Sequence, residues 1–198
     1  MYPEENIKLP LIMDGKNFER SKKMQKSMIE KIHETMKELH FPCEWRIEWF
    51  KQKHMIEIVI MIPVSAKDNE EKIKDRYGIV NEKVDFIFED TILLYDIHLA
   101  EIKDDNYITA IEFDEPDGLY GGTIQAICKN LRITVGEAMV QLKEFFSEEN
   151  RMRFEIEWND ENYQSTIRTL KNSGRFDENI YTYPSDITED LEENHGLE

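Results

Sequence analysis

The chain has 198 residues and 40% hydrophobic content, enough for one sizeable core or one core with tails. Against 25 Lys+Arg stand 42 Asp+Glu, for a formal net charge of −17. A field of that sign repels nucleic acid and anionic membranes and favours basic partners or plain solubility.

The charge is uneven. Residues 1–55 carry 11 basic and 9 acidic side chains, residues 56–176 carry 14 and 25, and residues 177–198 carry none and 8. The pattern divides the chain into an irregular N-terminal arm (1–16), a single α+β domain (17–176) and an acidic, weakly ordered tail (177–198). Cys43 and Cys128 each lie in an apolar stretch, as buried free thiols in a reducing cytoplasm would. The N-terminus lacks a basic region followed by an apolar one, so no signal peptide is expected. No apolar run approaches the roughly 20 residues of a membrane span. These features predict a soluble, cytoplasmic protein.

In chain order, Pro3, Pro10 and Gly15 break up the arm around an apolar patch at 9–13. Over 18–39, Met24, Met28, Ile32, Met36 and Leu39 form one stripe of an amphipathic helix, ended by Pro42. Cys43, Trp45, Ile47 and Trp49 then alternate with Glu44, Arg46 and Glu48, the period of a half-buried strand. After Lys51, Gln52 and Lys53 comes a run over 55–62 that is apolar on both faces and belongs mid-sheet. Residues 67–74 are charge-dense and read as an exposed loop or helical turn. Strand patterns follow at 84–88, 91–95 and 107–113, extending an antiparallel meander of four to five strands.

The turn at 114–118 leads to two helices. The first carries Leu119, Ile124, Ile127, Cys128 and Leu131; the second starts at a capping box of Thr134 and Glu137. Met152, Phe154, Ile156 and Trp158 alternate with Arg153, Glu155 and Glu157 as a further strand. A final helix, capped by Asn159 or Asp160 and stopped near Gly174, packs on the sheet. Trp45, Ile47, Ile58, Ile60, Phe86 and Phe154 are the expected core.

Few patterns carry chemistry. The glycines of 118–122 precede a helix whose amides could hold an anion, but the Lys of a phosphate loop is missing and an acidic turn lies just upstream. No His pair has the helical spacing of a zinc site, and no nucleophile elbow is present, so neither a cofactor nor catalysis is expected. Glu44/Glu48 and Glu155/Glu157 each share a strand face and are the candidate binding residues. They could instead be ordinary solvated carboxylates, or hold a divalent cation for a carboxylate-metal enzyme. If their strands are neighbours, Trp45, Trp49 and Trp158 form one aromatic cluster.

The segments 41–49, 54–58, 87–90, 93–96 and 105–107 together resemble an uncharacterised family of small acidic cytosolic proteins from low-GC Gram-positive bacteria. That family is a domain of unknown function; the resemblance spans about 41–158 and implies no activity. The order of elements is also similar to secretion-chaperone-like domains, which bind partner chains across a sheet or helix surface. The resulting expectation is a non-enzymatic protein-binding module (adaptor, chaperone-like or immunity-type) that engages a basic protein and neither nucleic acid nor membrane. The alternative is a nucleic-acid mimic that occupies the basic groove of a DNA- or RNA-binding protein.

Overall fold

The alternation in residues 44–64 builds a hairpin that forms one side of a four-stranded sheet. The structure, a computed structural model, describes residues 27–65, 73–74, 80–81, 85–102, 106–147 and 153–184. The expected arm (1–16) and the final residues from 185 onward lie outside these.

Helix α1, Met28–Glu38, starts at Ser27, not at residue 18. Ser27 is extended, its hydroxyl accepts from the Ile29 amide, and the Glu30 carboxylate accepts from the Ser27 amide. That reciprocal cap satisfies amides that the first turn leaves without partners. Met28, Ile32 and Met36 are fully buried, as their spacing predicts. Residues 18–26, including Met24, lie outside the described residues.

Strands β1 (Glu44–Phe50) and β2 (Met55–Val64) pair antiparallel, joined by a short 3-10 turn at Lys51–Lys53 and by His54 at φ 54°. Strand β5, Phe86–Asp96, takes the other side of β2 and runs straight through Glu89 and Asp90, where two strands were expected. Strand β6, Thr109–Phe113, pairs with β5 in parallel, so the order is β1-β2-β5-β6 and the sheet is not a pure meander. Between β2 and β5, β3 (Ile73–Lys74) and β4 (Val80–Asn81) form a small separate ladder, in place of a plain loop at 73–74.

Ile56, Ile58, Ile60 and Ile62 of β2 are buried against Ile92 and Leu94 of β5 and against the helices. Burying such a side chain stabilises by about 1.5–3 kcal/mol, so this face is the main source of stability. Trp45, Ile47, Phe86 and Phe154, expected in the core, pack against it but are only partly buried.

Beyond β7 (Leu119–Tyr120), a single helix, α2, runs over Gly121–Ser147 where two were predicted. The buried stripe Ile124, Ile127, Leu131, Val135, Ala138 and Leu142 continues without a break through the supposed cap. Thr134 is itself buried within the helix. Tertiary burial outweighs a local capping signal, as helix stability in proteins derives mainly from packing of the apolar face.

Residues 153–159 keep the expected alternation, with Ile156 buried, Phe154 and Trp158 partly so, and Arg153, Glu155 and Glu157 exposed. Among the described residues, however, they join no ladder, so this segment is not the predicted strand. Phe154 sits instead between Phe88 of β5 and Phe145 of α2, with ring centroids 5.4 and 5.7 Å away. Helix α3, Asp160–Asn172, is capped by Asn159 and ends near Gly174 at φ 67°.

Residues 177–184, assigned to the tail from their acidity, pack into the fold. Strand β8, Ile180–Tyr181, pairs with β7, Thr182 bridges Ser27, and Tyr181 and Tyr183 are buried. Two aromatic side chains outweigh two carboxylates in this short stretch. Asp177 is itself used: burial favours its neutral form, but Asn179, Lys31 and Tyr181 hold its pKa below the usual range.

Candidate functional site

The sheet has two unlike faces. The helices pack on the face bearing Ile56, Ile58, Ile60 and Ile62. On the opposite face, Met55, Val59 and Leu93 are buried yet lie outside the helix-packed core. Around them stand Glu44, Arg46 and Glu48 of β1, Glu57 of β2, Glu89 of β5 and Glu112 of β6, brought to one side by the register. The charged side chains of this face are mostly carboxylates.

Arg46 organises its upper part. Its Nε donates to Glu48 Oε1 at 2.6 Å, and its two terminal nitrogens grip Glu89 at 3.1 and 3.3 Å. Those bonds raise the Arg46 pKa and keep it charged. Below it, Glu48 and Glu57 lie directly opposite each other on neighbouring strands. Like charges so placed oppose pairing. Burial, helped by the Glu48 charge, pushes the Glu57 pKa up, while the Tyr107 hydroxyl at 3.2 Å, Lys53 and Arg46 pull it down. Burial and Glu48 prevail. At the sheet's far side the Tyr95 hydroxyl donates to Glu112 Oε1 at 2.7 Å, which raises the tyrosine's pKa.

Next to the carboxylates runs an apolar groove lined by Phe41, Pro42, Cys43, Glu44, Met61, Pro63 and Ile87. Ile87 is 55% exposed there. Burial raises the Cys43 pKa, so its thiol stays protonated and is a poor nucleophile.

Of the four expected carboxylates, Glu44 and Glu48 belong to this face. Glu155 and Glu157 sit on the segment between α2 and α3, where Arg153 Nε holds Glu155 at 2.6 Å. The tryptophans do not cluster: Trp45 meets His33, Trp49 meets Tyr183, and Trp158 meets Tyr163. Among the described residues, no group of three or more His, Cys, Asp or Glu is placed to hold a metal ion. The glycine turn is explained by the chain itself. Gly121 and Gly122 donate their amides to the carbonyls of Asn179 and Asp177, both at 2.8 Å, so these N-terminal amides of α2 are already engaged.

A second constellation had no signal in sequence spacing. At one end of the sheet His54 Nδ1 lies 2.7 Å from Glu115 Oε2, and His54 is beside the ring of Tyr183. Asp96, almost wholly buried, accepts the amides of His98, Leu99 and Glu115, each at 2.7 Å. Burial works to raise its pKa, but these three bonds hold it below the usual carboxylate range. Burial takes the Tyr183 pKa up to about 12, keeping it neutral as it donates to the Phe50 carbonyl. The Trp49 indole N–H favours ionised Tyr183 but reaches no acceptor in full hydrogen-bond geometry. Asp96 Oδ1 caps its own turn at His98 and Leu99 while Oδ2 ties that turn to the one at Glu115, so the cluster is a structural clasp.

The fold and this face define an α+β protein with helices on one side of a mixed sheet and an acidic face, free of helices among the described residues, on the other. The chain belongs to the family described as "Protein of unknown function (DUF3013)", whose model matches residues 23–185. That match is wider than the expected 41–158 and takes in α1 and β8. The chain is also similar to a crystal structure of a conserved protein of unknown function from Enterococcus faecalis, a low-GC Gram-positive bacterium. The identity is 20% and the TM-score 0.67, over 81% of this chain and 96% of that one. At that identity the likeness shows the fold alone. No curated protein matches the chain. No helix among the described residues is long and apolar enough to cross a membrane.

Proposed function

We propose that this chain is a non-enzymatic protein-binding module that uses its acidic sheet face to engage a basic partner. The observation that carries the reading is the opposition of Glu48 and Glu57 on adjacent strands. Such a pair costs stability within the chain, and a cation from a partner would relieve it. Arg46 answers Glu48 and Glu89, whereas Glu57 keeps a raised pKa despite Tyr107 and Lys53. The groove around Met61, Pro63 and Ile87 adds an apolar centre beside a charged rim, the anatomy of a protein interface. Arg46 in the middle of the β1 row interrupts the even run of negative charge that a nucleic-acid mimic needs, so the adaptor reading is preferred.

The test uses extended peptides alternating Lys with Leu, titrated against the full chain at low and physiological salt. Charge reversal of Glu48 and Glu57 to Lys is compared with reversal of Glu155 and Glu157. The Glu48 and Glu57 variant should lose more affinity, and the loss should be larger at low salt. Equal losses, or none, would sink this reading.

A further inference from the structure

Strand β1 is an edge of the main sheet, since β2 occupies one side and no described strand occupies the other. Among the described residues, no backbone–backbone hydrogen bond outside the β1–β2 ladder reaches residues 44–50, and the Phe50 carbonyl at the strand's end accepts from the Tyr183 hydroxyl. The strand is seven residues long, its register with β2 is unbroken, and it contains no Pro, Gly or Lys. Natural edges are commonly blunted by charged side chains, Pro, bulges or short length; this one has the charges of Glu44, Arg46 and Glu48 but no Pro, bulge or shortening. Its apolar row is also unfinished. Trp45, Ile47 and Trp49 are only partly buried, whereas Ile56, Ile58 and Ile60, their partners on β2, are fully buried.

The sequence of this edge is complementary to itself. Read about Ile47, the run Trp45, Arg46, Ile47, Glu48, Trp49 places a tryptophan at each end and opposite charges on either side of the centre. We infer that β1 pairs with β1 of a second copy of this chain, antiparallel and centred on Ile47. Trp45 then faces the partner's Trp49, Arg46 faces the partner's Glu48, and the two Ile47 side chains meet on the axis. An interface with two-fold symmetry requires this reciprocity: each contact occurs twice. Cross-strand aromatic and opposite-charge pairs are the contacts that stabilise antiparallel neighbours.

The same reasoning selects the register. A two-fold axis normal to the sheet keeps the apolar rows together, so registers differ in steps that pair residues of one face. Moving the axis to Arg46 sets the two arginines against each other and Glu44 against the partner's Glu48. Moving it to Glu48 sets the two glutamates against each other. An axis on Trp45 also joins opposite charges, Glu44 with the partner's Arg46, but leaves residues 47–50 beyond the partner strand, whereas the register on Ile47 joins opposite charges, stacks the tryptophan row and pairs all seven residues. The result is one eight-stranded sheet with both helix layers on one side. This inference goes beyond the proposed function and does not depend on it, although such pairing would join two acidic faces.

The experiment is the mass of the full chain by light scattering over a concentration series, with Arg46→Glu, Glu48→Arg and the double exchange. The wild type should grow toward twice the chain mass. Each single variant places like charges at both symmetry-related pairs and should raise the dimer Kd roughly tenfold or more. An equimolar mixture of the two single variants restores both opposite-charge pairs, as does the double exchange, and each should dimerise again. A wild type that stays monomeric, or a dimer indifferent to the single variants, overturns the proposal. Hydrogen exchange of the wild type covers the case in which a variant does not fold. Protection over residues 44–50 should rise with concentration while β6, the opposite edge, stays unchanged. Concentration dependence at β6 alone, or protection of 44–50 that is constant in a monomer, overturns it equally. The latter result would mean that the chain's own N-terminal arm occupies the edge.

Discussion

Glu57 shows how one side chain links burial, charge and pH. Burial and the facing Glu48 raise its folded pKa, so its charged form is less favourable in the folded chain than in the unfolded one. The stabilising contribution of a raised carboxylate pKa is present below the unfolded value, near 4.3 for Glu, and fades as pH rises through the folded value. Glu57→Gln should therefore stabilise the protein at pH 7 by roughly 0.2–1 kcal/mol, the scale of one cross-strand pair. Urea unfolding at pH 7 and pH 4 checks this, and the gain should shrink at the lower pH. Gly118 presents the opposite case, a residue that tolerates no addition. Its φ is 64°, and a Cβ there would run into the Tyr181 carbonyl of β8. Gly118→Ala should cost about 1–3 kcal/mol from backbone strain alone, read as a lower melting temperature.

At the scale of the element, β2 and β8 carry the clearest consequences. Ile58 and Ile60 are fully buried at the centre of the sheet, with no route for the surroundings to relax outward. Replacing either by Ala should cost roughly 2–5 kcal/mol in denaturant unfolding. Tyr183 stacks on Phe113 at 5.6 Å, contacts Trp49 and His54, and donates to the Phe50 carbonyl. Truncation after Phe176 removes this clasp together with β8 and should lower stability by about 3–5 kcal/mol, the cost of deleting one buried aromatic side chain. Truncation after Pro184 keeps both and should retain the clasp's contribution. Paired thermal melts of the two truncations measure the difference. The lesson for element prediction lies in residues 153–159. A period of two correctly marks which side chains face inward, but it cannot say whether the backbone finds a partner strand. In the same way the Thr134–Glu137 box is a valid local start signal, cancelled by the stripe from Leu131 to Val135 to Ala138 that the core demands.

For the whole molecule, if the chain binds a basic partner as proposed, the net charge of −17 should act mainly on the rate at which that partner arrives. Residues 185–198 hold six carboxylates and no Lys or Arg. Removing them should slow association with a basic peptide while leaving dissociation unchanged, and the difference should vanish as salt shortens the screening length below about 8 Å. Stopped-flow kinetics at two ionic strengths separates the two rates; faster dissociation on removal would make these residues a contact element.

The class of the fold, the position of β2 mid-sheet and the inward set of each strand were legible in the sequence, because periodicity records which side chains avoid water. Glu44 and Glu48 were legible as a shared face for the same reason. Glu57, Glu89 and Glu112 were not, because their strands carry carboxylates among apolar residues, and only the ladder register sets them beside Glu48. Nor could local pattern foresee that β6 runs parallel to β5, or that the acidic stretch from Asp177 folds back onto three glycines. Local sequence determined which surfaces each element hides. Long-range packing decided which elements share a surface, since that choice depends on contacts between residues far apart in the chain.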